Sequence, residues 1–200
     1  MFMLAAAVCS ADVLYSNTTN DQQTSVFFST GYTQIGDEIL LPFSSGLLSS
    51  VDAQFYNVGT DATFDAVLSF YDPGTPVGSQ IGSSFTETNI SIPGSTSETV
   101  TFSNLGGLLI PSDVIVMLAV QNVSTGGDIG VNLFDPPGVG TSDNSFFITN
   151  DGTGFSQTST NLNIDNLYFE LDGTGTPEPS TVGLTLGGLA LLAYRKLRRA

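Results

Sequence analysis

The sequence predicts an all-β protein, an antiparallel β-sandwich of jelly-roll type followed by a C-terminal hydrophobic helix. From residue 26 to residue 171 the apolar side chains alternate or form short runs, and no stretch keeps a helical period. Turn sequences rich in Gly, Pro, Asn and Asp separate these segments at roughly even spacing. Charged residues make up only 12% of the chain, so the polar strand faces are built from uncharged side chains. A closed barrel of the same strands is the alternative arrangement.

The body of the chain contains nine or ten predicted strands. Phe64, Ala66, Leu68 and Phe70 fall at alternate positions, which predicts one buried face for that strand. The run 114–120 is apolar throughout and predicts a central strand buried on both faces. The segments in chain order are SVFFSTGYTQI, EILLPF, LLSSVDAQFYNV, TFDAVLSFYD, SSFTETNISI, ETVTFSNL, DVIVMLAVQ, DIGVNLF, NSFFITN and NLYFELD.

Charge is distributed very unevenly along the chain. All 19 Asp and Glu residues precede residue 195, and all four Lys and Arg residues follow residue 194. An anionic body of this kind repels phosphates, so nucleic acid is not a predicted partner. Histidine is absent and Cys9 is the single cysteine, which excludes an intramolecular disulfide, a Cys/His metal site and a Ser–His or Cys–His nucleophile. We therefore predict that the protein is not an enzyme.

The N-terminal residues 1–11 are predicted to be the remnant of a signal peptide. Residues 1–8 are apolar, and Cys9-Ser10-Ala11 fits a small-x-small cleavage site that would release a mature chain starting at Asp12. The charged leader that normally precedes such a run is missing. The alternative is a buried first strand.

The C-terminal residues 182–200 are predicted to be a transmembrane helix with a basic tail. Residues 182–194 are apolar or small except for Thr185, and as a helix they would span about 20 Å of the roughly 30 Å hydrocarbon core. The basic residues after them predict a stop-transfer signal that leaves the body exported and the last residues cytoplasmic. These stop-transfer residues are Arg195, Lys196, Arg198 and Arg199.

The order of features in this tail carries a family resemblance. Pro177, Glu178 and Pro179, followed by a glycine-rich apolar helix and a terminal Arg cluster, resemble the PEP-CTERM sorting signal of exported bacterial proteins. The resemblance covers about residues 176–200. It implies recognition by an exosortase, a membrane-embedded protease or transpeptidase, in bacteria that make extracellular polysaccharide. A plain tail anchor with a Pro-rich stalk is the alternative.

The resemblance also implies where the protein goes and how the chain is divided. The protein would be anchored in the inner membrane before sorting and would then reach the cell surface or extracellular matrix. The β-sandwich domain is predicted to span residues 12–172. Residues 173–181 would be a linker carrying the motif, and its glycine-rich start, within DGTGT at 172–176, would be flexible enough to give a protease access.

The acidic residues offer few candidates for chemistry. Asn150, Asp151 and Thr153 could supply oxygen ligands to calcium, although a β-turn beginning at Asn150 is the simpler interpretation. Asp135 and Asp143 flank a Pro-Pro turn and could contribute to a neighbouring site. No other cofactor is predicted.

Two further acid pairs bear on a possible hydrolase. Asp37 and Glu38 are adjacent, so a strand would point them to opposite faces and they could not form an acid/base pair. Asp61 and Asp65 could converge across a turn, but no flanking motif supports a hydrolase site.

Four tyrosines are the candidate stacking residues for extracellular polysaccharide. They are Tyr32, Tyr56, Tyr71 and Tyr168, although tyrosines on strands are more often packed at sheet edges. The sequence thus predicts a non-enzymatic structural or adhesive protein of the cell surface or matrix. A carbohydrate-binding module is the alternative, and a secreted hydrolase is a distant one.

Overall fold

The computed structural model describes residues 12–73, 79–149, 156–158 and 166–176. These residues form an all-β structure in which every strand pairing is antiparallel, and a 3₁₀ turn at Phe28–Thr30 is the single helical segment among them. The predicted class and strand direction are therefore confirmed. The strands are β1 Asp12–Ser16, β2 Asp21–Phe27, β3 Gln34–Asn57, β4 Ala62–Tyr71, β5 Gln80–Ile92, β6 Thr96–Phe102, β7 Leu109–Gln121, β8 Ile129–Phe134, β9 Thr141–Thr149, β10 Ser156–Thr158, β11 Asn166–Leu167 and β12 Phe169–Thr176.

Both predicted processing segments lie outside the described residues. The signal peptide was assigned to 1–11, and the sorting motif, helix and basic tail to 177–200. Within the described ranges no helix is long and apolar enough to cross a membrane.

Strand β3 joins two groups of strands. Its first part, residues 34–40, lies between β7 and β9. Its second part, residues 45–57, pairs with β6, β12 and β8, and residues 45–47 still pair with β7 on one side. The sequence predicted two separate strands here, which is wrong. The Ser-Ser-Gly stretch at 44–46 resembles a break, but its backbone is paired, because Gly46 lies opposite Ile110 on β7 and Gly175 on β12.

The first group contains β5, β4, β7, the first part of β3, β9 and β10, and the second contains the remaining strands. A continuous cluster of buried apolar side chains draws on both groups. The rings of Phe55 on β3 and Phe64 on β4 meet within it, with centroids 5.2 Å apart. Burial of this apolar surface is the main source of stability for a fold of this composition.

The predicted burial patterns hold where the strands are most apolar. Phe64, Ala66, Leu68 and Phe70 on β4 are all buried, as their alternation predicted. Strand β7 lies between β3 and β4, and its residues 114–119 are buried on both faces. The apolar run therefore identified a central strand correctly.

Strand β5 ends the first group, pairing with β4 along one side only among the described strands. The register shifts twice along this pairing, between Phe64 and Ala66 and between Leu68 and Phe70 of β4. Gly82 and Asn89 adopt positive φ angles of 71° and 56° at the extra residues of β5. These are β-bulges, which bend and twist the strand.

The predicted flexible linker is wrong at its start. Residues 173–176 continue β12 and pair with β3, with Gly173 opposite Leu48 and Thr176 opposite Ser45. A Cβ atom at Gly173 would lie 2.1 Å from the carbonyl oxygen of Leu47. The glycine that resembled loop composition is therefore needed for close backbone approach, a known role of glycine in strands. The β domain extends to residue 176 rather than 172.

This contact gives a test of the β12 assignment. Replacing Gly173 with alanine should lower the free energy of unfolding of residues 12–176 by about 2 kcal/mol or more, because the neighbour that must move is backbone. Urea denaturation measures the change. Gly138→Ala is the matched control, since its nearest neighbour to a new Cβ lies 3.8 Å away. Equal stability of the two variants would show that 173–176 are not paired as described.

Candidate functional site

A buried carboxyl group lies at the centre of a polar network inside the fold. Asp37 is 0% exposed and shares the inner face of β3 with Ile35 and Ile39. Its Oδ1 atom lies 2.7 Å from Ser142 Oγ on β9, and its Oδ2 atom accepts a hydrogen bond of 3.0 Å from the backbone N–H of Leu167 on β11. No Lys, Arg or His occurs before residue 195, so the described part of the chain offers no cationic partner.

The network continues from Ser142 through an amide to a second acid. Ser142 Oγ lies 3.0 Å from Asn166 Oδ1, and Asn166 Nδ2 donates a hydrogen bond of 2.8 Å to Asp135 Oδ1. Ser142 has one hydroxyl proton, which cannot serve both Asp37 and Asn166 as acceptors. A proton on Asp37 resolves the conflict, because Asp37 then donates to Ser142 and Ser142 donates to Asn166. Exchanging Oδ1 and Nδ2 of Asn166 would let its amide donate to Ser142, but Asn166 Oδ1 would then face Asp135 Oδ1. Two acceptors would then be in contact at Asp135 instead.

The pKa of Asp37 is shifted in the direction that favours the protonated form. Burial raises the pKa of Asp37 well above its ordinary range, and the hydrogen bonds from Ser142 and Leu167 offset this only in part. Tyr15 Oη is enclosed nearby, beside Ser142. Burial raises the pKa of Tyr15 far above its ordinary range, so Tyr15 is also a neutral group. We therefore assign Asp37 as a neutral acid that links β3, β9 and β11.

A second group of acids lies on the outer face of β3. Glu38 faces away from Asp37, as predicted, and its pKa is raised to about 7 by partial burial and then by Asp113. Partial burial likewise raises the pKa of Asp113. The charge of Asp143 raises the pKa of both groups. Glu38 is therefore partly protonated around neutral pH. Among the described residues, no set of three or more Asp, Glu, Cys or His side chains is arranged to hold a metal ion.

The remaining predicted acids do not converge on one site. Asp61 Oδ1 accepts a hydrogen bond of 2.9 Å from the Gly94 N–H. Asp65 accepts bonds of 2.8 Å and 2.6 Å from the Asn89 N–H and the Asn122 side chain, which lower its pKa. Asp61 and Asp65 thus accept from different backbone and side-chain donors rather than forming a pair.

The calcium candidates are also separated or outside the described residues. Asp135 belongs to the buried network, whereas Asp143 lies near Glu38 and Asp113, so the two acids beside the Pro-Pro turn do not form one site. Asn150, Asp151 and Thr153 lie outside the described residues. A calcium site at that turn stays a prediction.

All four candidate tyrosines are packed against other apolar side chains. The ring of Tyr56 meets Phe27 edge-on at 6.2 Å, and the ring of Tyr168 meets Phe134 at 5.0 Å. Tyr71 packs against a small cluster on the outer face of β7 and β9. Tyr32 packs against the main core cluster and is only partly buried, so it also lines an open groove.

The groove has a volume of about 610 Å³ and lies beside the 3₁₀ turn, where the start of β3 meets the end of β7 and the loop into β8. Tyr32 and Val123 contribute apolar surface, and Gln34, Gln121 and Asp128 contribute polar groups. Val123 is 38% exposed, a large fraction for an aliphatic side chain. The groove therefore combines an aromatic ring with planar amides and a carboxylate.

One asparagine fixes the groove wall that carries Asp128. Asn57 is fully buried, and its Oδ1 atom accepts hydrogen bonds from the N–H groups of Gly59 at 2.9 Å and Asp128 at 3.1 Å. Its Nδ2 atom donates to the carbonyl oxygens of Thr60 at 2.6 Å and Ile92 at 3.3 Å. All four bonding positions of the amide are thus used to hold these loops together.

Neither the Asp37 network nor the groove was identified from the sequence. The alternation of Ile35, Asp37 and Ile39 was a signal that Asp37 faces the core, but its partners are more than 100 residues away in the chain. Comparison with protein-family models, curated proteins and solved structures finds no match for this chain. The roles assigned to these residues therefore depend on their geometry.

The neutral Asp37 predicts a defined pH dependence of stability. In an unfolded chain this carboxyl titrates near pH 4, but in the folded protein it keeps its proton to higher pH. Its stabilising contribution is complete below about pH 4 and is lost as the pH rises through the folded-state pKa. Asp37→Asn can make the same hydrogen bonds but cannot ionise. The free energy of unfolding of this variant should therefore fall less with rising pH than that of the parent, and should be higher than the parent's at pH 7.

Urea unfolding of residues 12–176 between pH 4 and pH 8 measures this difference. Asp12→Asn, at an exposed position on β1, is the control and should follow the parent profile. If Asp37→Asn keeps the parent's pH slope, or is less stable than the parent at pH 7, then Asp37 is ionised in the folded protein.

Proposed function

We propose that this chain is an exported protein of the bacterial cell surface or extracellular matrix, delivered by a PEP-CTERM sorting tail. Its proposed role is structural or adhesive and not enzymatic. The observation that carries the proposal is the arrangement of the last 24 residues, in which Pro177-Glu178-Pro179 precedes an apolar run and every cation of the chain follows it. That order fits membrane insertion with a cytoplasmic basic end.

We also propose that the two strand groups are the layers of a sandwich with jelly-roll-like connections. The passage of β3 through both groups supports this arrangement, as does the contact between Phe55 and Phe64 inside the shared core. A body of this kind suits a surface role, because it is stabilised by apolar burial and backbone hydrogen bonds instead of ion pairs.

The acids of the described residues support a role without catalysis. Asp37 is enclosed, and Asp61 and Asp65 accept hydrogen bonds from the backbone N–H groups of Gly94 and Asn89. A glycoside hydrolase needs two carboxyl groups facing each other across a cleft. The groove carries one carboxylate, that of Asp128.

The sorting proposal places the cleavage motif close to the folded body. Strand β12 ends at Thr176, whose carbonyl oxygen accepts a hydrogen bond of 2.9 Å from Ser44 Oγ. Thr176 Oγ1 in turn donates to the Ser45 carbonyl oxygen at 3.0 Å. The residue that follows is Pro177, so no spacer separates the last paired residue from the motif.

Processing of the motif is the direct test. In a host that carries an exosortase, the double substitution Glu178→Ala and Pro179→Ala should make the uncleaved form accumulate in the membrane, while the unfolding transition of the body stays unchanged. Intact-mass analysis of surface and membrane fractions measures the ratio. Glu98→Ala, at an exposed position on β6, is the control and should be processed like the parent. Surface protein that still carries residues 182–200 would mean that the tail is a simple anchor.

The absence of a spacer predicts a second effect on processing. Inserting Gly-Ser-Gly-Ser between Thr176 and Pro177 should raise the rate of cleavage several-fold, because the protease no longer has to approach the paired end of β12. A pulse-chase time course of the mature form measures the rate. The same insertion between the exposed residues Gly106 and Gly107 is the control. An unchanged rate would mean that the protease tolerates the folded body at the motif.

A carbohydrate-binding module is the second candidate function. The observation that favours it is the groove, where Tyr32 lies beside two glutamine side chains and the Asp128 carboxylate. The other three candidate tyrosines are packed and do not line this groove.

A further inference from the structure

We propose that the groove beside the 3₁₀ turn binds a neutral oligosaccharide, with Tyr32 as the stacking ring and Gln34, Gln121 and Asp128 as hydrogen-bonding groups. This inference deepens the carbohydrate-binding candidate and depends on it. It is independent of how the tail is processed.

The lining of the groove matches the two kinds of surface on a sugar. A pyranose ring has apolar C–H faces and a rim of hydroxyl groups. Tyr32 and Val123 offer apolar surface for the faces, and each glutamine amide offers both a donor and an acceptor for the rim. The volume of about 610 Å³ falls within the roughly 300–1,000 Å³ that is typical of small-molecule sites.

Charge decides which class of sugar fits. Residues 12–172 contain 18 Asp and Glu residues and no Lys or Arg, so the body repels uronate and sulfate groups. Asp128 lines the groove, although its Oδ1 atom is itself buried. A carboxylate at a groove wall accepts hydrogen bonds from donors, and the hydroxyl groups of an uncharged sugar supply them. An anionic sugar would meet the carboxylate with like charge.

The groove walls are fixed before a ligand arrives. Asn57 holds the Asp128 backbone on one side, as described above. On the other side, the N–H and Oγ1 of Thr33 both donate to the Thr149 carbonyl oxygen, at 2.7 Å and 3.0 Å. Gly31, with a φ of 100°, ends the 3₁₀ turn and directs the chain into Tyr32. Little ordering of the backbone is needed on binding, which favours affinity.

The experiment is an array of immobilised hexasaccharides probed with the full-length protein in detergent micelles. Neutral probes are the hexamers of cellulose, starch and mannan, and anionic probes are oligogalacturonate and oligoalginate. Basic and neutral peptides are included on the same surface. We expect binding to at least one neutral hexamer and none to the anionic ones. The soluble hexamer that binds is then titrated calorimetrically against variants.

Variants inside and outside the groove show whether the sugar binds in the groove or at another surface. Tyr32→Ala should weaken binding about tenfold, the size expected for loss of one aromatic contact, whereas Tyr32→Phe should retain most of the affinity. Gln121→Ala should weaken binding several-fold. Gln80→Ala, at an exposed position on β5 outside the groove, is the matched control and should leave the affinity unchanged.

Each contrary result overturns a defined part of the inference. No binding to any glycan at millimolar concentration, or binding to peptides alone, overturns the carbohydrate proposal and leaves the sorting proposal to its mass-spectrometric test. Binding that is unchanged in Tyr32→Ala places the sugar site elsewhere. Equal binding of anionic and neutral hexamers overturns the charge selectivity. An uncleaved tail together with neutral-glycan binding overturns only the sorting proposal.

Discussion

The constraint on which the described structure depends is the absence of any cation before residue 195. Each carboxyl group in the body must be accommodated without an ion pair, and the fold does so in two chemical ways. Asp61 accepts a hydrogen bond from the N–H of Gly94 in a loop, and Asp65 accepts one from the N–H of Asn89 in a bulge of β5, which stabilises their charge locally. Burial instead raises the pKa values of Asp37, Glu38 and Asp113, which favours their uncharged forms. Cohesion must come from the apolar cluster and the strand hydrogen bonds, because opposite charges are not available to supply it.

Strand β3 connects the two strand groups and carries the two buried polar residues that hold the loops and outer strands. Residues 34–40 and 45–57 belong to different strand groups, so one continuous backbone fixes both groups relative to the shared core. Asn57 ends this strand and holds the loops that form one wall of the groove. Asp37, near its start, holds β9 and β11 through Ser142 and Leu167. Both polar anchors lie on the buried face, where an unsatisfied group would be costly.

The sequence predicted those features that follow from local periodicity. The alternation in β4 and the apolar run in β7 identified a strand face and a central strand because burial acts residue by residue along a strand. The 173–176 segment was predicted incorrectly, since its glycines resemble a loop until the neighbouring backbone of Leu47 is known. The Asp37 network and the groove required residues distant in the chain, such as Ser142 for Asp37 and Asp128 for Tyr32, and single-sequence reasoning has no means of bringing these together.

The two bulges in β5 have a consequence for behaviour at high concentration. A long outer strand exposes unpaired backbone groups that can add the strand of another molecule, and proteins commonly prevent this with lysine side chains. Lysine is missing from this body, so protection of the edge falls to backbone geometry. The left-handed residues Gly82 and Asn89 interrupt the straight ladder that a second copy would need. At high concentration a second copy therefore finds no straight, continuous strand to pair with along β5.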